Sequence, residues 1–249
     1  MLHLVKNPEE LQQLIRNRDR SIINSTGQID MFKWIDYIID NFDTSRISVF
    51  QEIISRSDTW FCPTLVNLRM WGSNSTAFIE DNKLKYIPGE EHAIWKNPTD
   101  LGEFSEDLIN HTDWHIDLSL KYYHNVLSLL KPILDSGAKF LAGTDIGNPY
   151  LIPGFSLHDE LELFVEAGFT PLEALQTATI NPALYLNRSA EIGTVEKGKI
   201  ANLILLDANP QEDIRSTQKI HSVISSGKLY SREKLDKILK EVEENAKEK

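Results

Sequence analysis

The apolar residues of this chain follow two patterns, helical stripes and short continuous runs. Leu11, Leu14 and Ile15 form a stripe after Asn7-Pro8, which predicts a helix with Asn as its N-cap and Pro at its first position. The sequence TPLE at residues 170–173 has the form of a capping box and predicts another helix start. The same spacing predicts further helices, at about residues 29–39, 45–57, 105–135 and 156–168 and in the tail from residue 231.

Short runs of β-branched and aromatic residues predict strands. They lie at residues 1–5, 20–27, 59–68 and 139–142, with two more strands about the Lys197-Gly198 turn and a last strand and turn in residues 220–230. Pro63 predicts that the third strand ends near Cys62 or loses a ladder bond there. Asn181-Pro182 is expected to end the helix that starts at residue 171.

The alternation of strands and helices predicts an α/β fold, either a βα barrel or an open doubly wound sheet. Both architectures bind ligands at the carboxyl ends of their strands.

Residues 69–104 contain Gly, Asn, Ser and Pro scattered among aromatic residues, and we expect them to form a long loop or lid. Trp60, Phe61, Trp71 and Trp95 fit either a substrate pocket or the core.

Composition narrows the possible partners. The formal charge of −11 at pH 7 disfavours nucleic acid and anionic membranes as partners. The single cysteine excludes an internal disulfide and a cysteine-based zinc site. The sequence contains no apolar stretch of about 20 residues and no signal-peptide core near its start, so a cytoplasmic location is the default expectation.

The most informative stretch is KFLAGTDIGNP at residues 139–149, where Asp145 follows an apolar strand. A carboxylate in that position is costly unless a cation, a metal or a proton partner comes from other strands. Asp145 is therefore the first candidate for a catalytic or metal-binding residue.

Three consecutive motifs in residues 139–230 resemble the amidohydrolase superfamily, in particular its imidazolonepropionase and Xaa-Pro dipeptidase-like branch. They are AGTD, PGFSLHDELELFVEAGFTPLEALQTATINPALYL and IGTVEKGKIANLILLDANP. In that family the aspartate after Gly-Thr ends the eighth barrel strand, contacts the catalytic metal and acts as base toward the metal-bound water. The resemblance gives this role to Asp145.

The resemblance also suggests metal ligands upstream. His3 resembles the fifth-strand ligand, and Asn24 stands where the family has a sixth-strand histidine. A neutral amide oxygen is a weaker zinc ligand than imidazole. The resemblance implies a divalent metal as cofactor, most often zinc. Its ligands would be His3, Asp145 and Asn24, which replaces the family's histidine.

The family's first-strand His-x-His pair and its fourth-strand lysine have no counterpart in this sequence. Three strands are predicted before Asp145, whereas a complete barrel has seven before its last. We therefore expect an incomplete (β/α)8 TIM-type barrel, about strands five to eight, in residues 1–187. Residues 188–230 would form the C-terminal part of a small composite β domain, and residues 231–249 a charged helical tail.

Two function hypotheses follow. The first is a metal-dependent hydrolase of C–N bonds other than ordinary peptide links, acting on small cyclic amides or dipeptide-like molecules with Asp145 as general base. The second is an inactive remnant or a partner-dependent subunit of such an enzyme. Open barrel edges, one of them on the strand of Phe140, also predict possible homo-oligomers.

The other histidines carry weaker hypotheses. His158, in the first turn of the helix at 156–168, is a candidate substrate-binding residue or a partly exposed helix residue. His111 and His115, one turn apart with Asp107 before them, are either a metal-binding face or solvated helix residues.

Overall fold

The computed structural model describes residues 4–19, 21–22, 30–73, 81–96 and 113–248 of the 249-residue chain. The α-helices in these residues are α1 (Pro8–Asn17), α2 (Met31–Asp40), α3 (Ile47–Ser55), α4 (Leu65–Trp71), α5 (Gly89–Lys96), α6 (Asp113–Asp135), α7 (Ser156–Glu166), α8 (Pro171–Thr177), α9 (Ile180–Tyr185) and α10 (Arg232–Lys247). The strands are β1 (Trp60–Phe61), β2 (Lys139–Phe140), β3 (Leu203–Leu206), β4 (Ile220–Ser225) and β5 (Lys228–Tyr230). Short 3-10 helices cover Thr44–Arg46, Asn82–Tyr86 and Ile214–Gln218.

The first two predicted strands lie mostly outside the described residues. Within residues 1–5 the structure describes Leu4 and Val5, and Val5 forms a single antiparallel bridge with Phe42. Helix α1 starts as predicted, because the Asn7 side chain accepts a hydrogen bond of 3.2 Å from the backbone N–H of Glu10.

Strands β1 and β2 pair in parallel, with Trp60 opposite Lys139 and Phe61 opposite Phe140. Residues 59–68 were predicted as one strand, which was wrong beyond Phe61. Thr64 takes a left-handed backbone conformation with φ of +49°, and α4 begins at the next residue. The strand therefore turns into a helix within four residues of its end.

The predicted long loop at residues 69–104 contains regular structure, so the expectation of an irregular segment was wrong for much of it. Helix α4 runs to Trp71, and the 3-10 helix at Asn82–Tyr86 and α5 follow. Leu84 and Ile87 are buried in a small cluster with Ile152, which holds this segment against the chain that follows Asp145. Whether the segment covers a substrate stays a prediction.

The core lies between the β1–β2 pair and the helices around it. Phe140 makes edge-to-face contacts with Phe164 on α7 and with Phe169, at ring-centroid distances of 6.1 and 5.3 Å. Helix α6 contributes a buried apolar stripe to the same cluster. None of the helices in the described residues combines the length and the apolar character that crossing a membrane requires.

Helices α8 and α9 follow α7 through short connections. The capping box at the start of α8 is confirmed: Thr170 and Glu173 exchange side chain-to-backbone hydrogen bonds of 3.2 and 2.7 Å. The prediction that Asn181-Pro182 ends the helix was wrong, because α8 already ends at Thr177 and both residues lie within α9. Pro182 falls in the first turn of α9, where a missing N–H removes no intrahelical bond.

The C-terminal region forms an antiparallel sheet in the order β3-β4-β5, followed by α10. The strand predicted before Lys197-Gly198 was wrong, since residues 188–202 form turns and bends. Gly193, at φ of +96°, lies so close to Ala183 that a β-carbon would collide with it, so this segment packs on α9. The predicted domain boundaries at residues 187 and 230 stay predictions.

Candidate functional site

Asp145 lies five residues beyond the last residue of β2, in a left-handed backbone conformation with φ of +55°. Such a conformation is uncommon outside glycine and points to a constraint on where the side chain lies. The Asp145 carboxylate is exposed, and its Oδ2 accepts a 2.9 Å hydrogen bond from Nδ2 of Asn67. Asn148 Nδ2 donates to the Asp145 carbonyl at 3.0 Å and holds the turn that follows.

Asn67 reaches Asp145 because the two parallel strands end side by side. It is the third residue of α4, which begins just beyond β1. The strand ends are in close contact: a β-carbon at Gly143 would collide with the Cys62 sulfur. A side chain at position 143 would therefore separate the two loops that carry Asn67 and Asp145.

A buried glutamate on α7 fixes the start of α4. Glu160 is fully buried, and its Oε1 and Oε2 accept hydrogen bonds from the backbone N–H groups of Leu65 and Val66 at 3.0 and 2.8 Å. Burial raises the pKa of Glu160 to about 7, although the two backbone donors and nearby Arg69 act in the opposite direction.

The Cys62 thiol lies at the same strand ends. Partial burial raises its pKa, and the negative charges of Glu160 and Asp145 add to that shift. A raised pKa keeps the thiol protonated at neutral pH and makes it a poor nucleophile. Cysteine-based nucleophilic catalysis is therefore not what this arrangement favours.

The family model described as "Amidohydrolase family" matches residues 74–230. The chain belongs to the amidohydrolase family. Among curated relatives, imidazolonepropionase of Geobacillus sp. (strain WCH70) is 44% identical over 78 residues, which are 31% of this chain and 18% of that protein. Ochratoxinase of Aspergillus niger is 34% identical over 119 residues, 46% of this chain and 22% of that protein.

Solved structures agree on the fold of this amidohydrolase-family chain. A bottromycin amidohydrolase superposes with a TM-score of 0.60 at 17% identity, covering 95% of this chain and 56% of the other. A putative prolidase from Bifidobacterium longum superposes with a TM-score of 0.54 at 22% identity, covering 86% of this chain and 56% of the other. Identities this low support a shared α/β fold alone, and the chain spans less than two thirds of the length of these relatives.

The structure describes some of the predicted site residues of this family member and not others. Asp145 lies at a described strand end, whereas His3 and Asn24 lie outside the described residues. His158 is on α7, where its Nδ1 is 3.0 Å from the Thr217 hydroxyl. Burial lowers the pKa of His158, so the neutral ring is favoured. Its predicted role in substrate binding stays a prediction.

The two remaining histidine candidates are divided between described and undescribed parts of the chain. His111 lies outside the described residues. His115, on α6, packs edge-on against Phe32 at a centroid distance of 4.5 Å and against Trp114 at 4.8 Å. These ring contacts place His115 at the interface between α2 and α6.

The described residues of this family member do not fit a metal centre on their own. Across residues 4–19, 21–22, 30–73, 81–96 and 113–248, no group of three or more His, Cys, Asp or Glu side chains could hold a metal ion. A structural zinc site takes four ligands and a catalytic one three plus water. Of the proposed ligands His3, Asn24 and Asp145, Asp145 is the one that the structure describes, and its carboxylate pairs with the Asn67 amide.

The sequence interpretation missed Asn67 and Glu160. Asn67 carries no local signal, because its role depends on a contact with a residue 78 positions away. Glu160 does carry one: it occupies the apolar stripe of α7, where its neighbours Leu161, Leu163 and Phe164 are all buried. An acid in such a stripe indicates a buried hydrogen-bond donor opposite it.

Proposed function

We propose that this chain forms about strands five to eight of an amidohydrolase barrel and takes part in the hydrolysis of C–N bonds other than ordinary peptide links. One observation carries the proposal: Asp145 is held at the end of β2 in a left-handed conformation, with its carboxylate bonded to Asn67 from the neighbouring strand end. Carboxyl ends of parallel strands are where barrel enzymes carry their catalytic groups.

In this proposal Asp145 is the general base. Its carboxylate accepts a proton from the water that adds to the carbonyl carbon, and then delivers that proton to the leaving nitrogen. A divalent metal, when bound, lowers the pKa of water to about 7 and polarises the carbonyl. His3 and Asn24, both outside the described residues, are the proposed additional ligands, and zinc is the proposed metal.

The proposed substrates are small cyclic amides or dipeptide-like molecules. Support comes from the relatives, which include imidazolonepropionases and solved structures named as a Xaa-Pro dipeptidase and a putative prolidase. The exposed position of the Asp145 carboxylate is consistent with a small molecule reaching it from solvent.

A second candidate is a partner-dependent subunit or an inactive remnant of such an enzyme. It is favoured by the lack of a three-ligand group in the part of the chain that the structure describes.

The experiment measures hydrolysis of a panel of cyclic amides and dipeptides with zinc or manganese added and after chelation. Under the first candidate, wild type shows metal-dependent turnover, and Asp145→Asn lowers kcat by about 100-fold or more because the general base is lost. The matched control is Asp117→Asn, an exposed aspartate paired with Lys121 on α6, which should keep wild-type activity. Turnover that survives Asp145→Asn would contradict the first candidate, and lack of turnover in wild type would favour the second.

A further inference from the structure

Helix α4 has no N-terminal cap of its own. The first N–H groups of a helix have no intrahelical acceptor and need another partner. The residue before α4 is Thr64, and its side chain makes no capping hydrogen bond. The left-handed backbone of Thr64 turns the chain directly from the end of β1 into the helix.

Glu160 supplies the missing acceptors from a different helix. Its two carboxylate oxygens each accept one N–H, from Leu65 and Val66, so the carboxylate binds two consecutive peptide groups. Two bonds of this kind fix the orientation of the first turn of α4, not only its position. The contact joins residues 95 and 94 positions apart along the chain.

The next residue after those two peptide groups is Asn67. Its Nδ2 donates to Asp145, while its Oδ1 is buried and has no hydrogen-bond partner among the described residues. The direction of the Asn67 side chain therefore depends on one side-chain hydrogen bond and on the backbone of the α4 first turn. That backbone is what Glu160 holds.

We propose that Glu160 is a positioning residue for Asp145, acting through the first turn of α4 and the Asn67 amide. The inference rests on the proposed function for the role of Asp145 as base, whereas the structural link from Glu160 to Asn67 stands independently of it. A glutamate that only stabilised the fold would leave the orientation of Asn67 unchanged as long as the variant folded.

The first measurement needs no activity. Hydrogen exchange of the Asn67 side-chain amide is followed by NMR in the full chain, with the resonance assigned from Asn67→Ala. In Glu160→Gln, one acceptor oxygen is replaced by a donor, so we expect exchange at Leu65 or Val66 and at the Asn67 amide to accelerate by about tenfold or more. The matched control is Glu162→Gln, two residues along α7, where Glu162 accepts from Gln218 instead; it should leave both sites unchanged.

A second variant covers the case in which Glu160→Gln does not fold. Glu160→Asp keeps the charge and shortens the side chain by one methylene, so it should give a smaller acceleration at the same sites. Faster exchange at Leu65 and Val66 without any change at Asn67, in either variant, would overturn the proposal.

The second measurement uses the metal-loaded enzyme in whatever assembly shows turnover. Glu160→Gln should lower kcat on the order of tenfold with KM within about twofold of wild type, because the base is displaced while substrate binding is kept. Asn67→Ala should have a similar effect, and the double variant should be no worse than Asn67→Ala alone. Additive losses would overturn the proposal. If no form shows turnover, the proposed function fails, and the exchange result still decides the link between Glu160 and Asn67.

Discussion

At the scale of single residues, Glu160 is the most unusual group in the described structure. It is a fully buried carboxyl group whose oxygens accept hydrogen bonds from two backbone N–H groups. Burial favours the protonated acid, while the donors favour the carboxylate, and the balance raises its pKa to about 7. Its protonation therefore changes within the range of ordinary buffers.

The raised pKa has a definite consequence for stability. Between its ordinary value of 4.5 and about 7, Glu160 binds more protons in the folded state than in the unfolded state. The free energy of unfolding should therefore fall as pH rises through that window, and Glu160 should account for on the order of 3 kcal/mol of this fall. Above about pH 7 its contribution is constant.

Urea denaturation at several pH values from 5 to 8 measures this dependence. Glu160→Gln has no proton to lose, so its stability should fall less across the window than that of wild type. Glu162→Gln serves as the control and should keep the wild-type slope. Parallel pH profiles for wild type and Glu160→Gln would show that the Glu160 carboxyl is not perturbed.

At the scale of secondary-structure elements, the outer edge of β2 differs from the expectation of an open edge. On one side β2 faces β1, and the Leu141 N–H just beyond it donates to the Phe61 carbonyl at 2.8 Å. On the other side the Asn181 side chain donates to the Phe140 carbonyl at 2.9 Å, and the Ala142 N–H donates to the Thr177 carbonyl at 2.9 Å. The predicted open edge at Phe140 is therefore partly covered, because α8 and α9 bond the Phe140 carbonyl and the Ala142 N–H.

One of the two hydrogen bonds at this edge can be removed with a single substitution. Asn181→Ala leaves the Phe140 carbonyl without its side-chain donor in a buried position, which should lower the free energy of unfolding by about 1–3 kcal/mol. Asn125→Ala, on α6, is the matched control and should change stability by less than about 0.5 kcal/mol. Equal unfolding midpoints in urea for Asn181→Ala and wild type would contradict this account of the edge.

At the scale of the whole molecule, the family assignment suggests a bound metal, whereas the geometry of the described residues does not provide a metal site. The family model covers residues 74–230, and members of this family are generally metal-dependent. Yet the described residues assemble no three-ligand group, and Asp145 contacts an amide. Possible homo-oligomers stay a prediction.

The metal content of the isolated chain tests this contrast. Because a carboxylate, a single histidine and an amide oxygen make a weak zinc site, we expect well under one tightly held ion per chain after loading with zinc and desalting. Mass spectrometry of the desalted protein measures the ratio. Asp145→Asn is the control, and it should give the same low value. About one ion per chain in wild type, lost in Asp145→Asn, would contradict the prediction.

The amino-acid sequence by itself determined the features that depend on near neighbours. The caps at Asn7 and Thr170 form as predicted because donor and acceptor lie three residues apart. The helical stripes placed α1, α2, α7 and α10 to within a few residues. The motifs in residues 139–230 also predicted the family, which the match to residues 74–230 confirmed. A strand-end aspartate was recognisable for the same reason, since strand, turn and acid are contiguous.

Only the tertiary structure decided how distant residues meet around that aspartate. Asn67 and Asp145 are 78 positions apart, and Glu160 lies 95 positions from the peptide group of Leu65 that it binds. Residues 65–68 were predicted as the end of a strand because Leu65, Val66 and Leu68 fit an apolar run. They belong instead to α4, whose first turn Glu160 caps. The chain does not indicate which distant residue is the partner in such a contact, because the energy of the contact appears only when separate elements pack together.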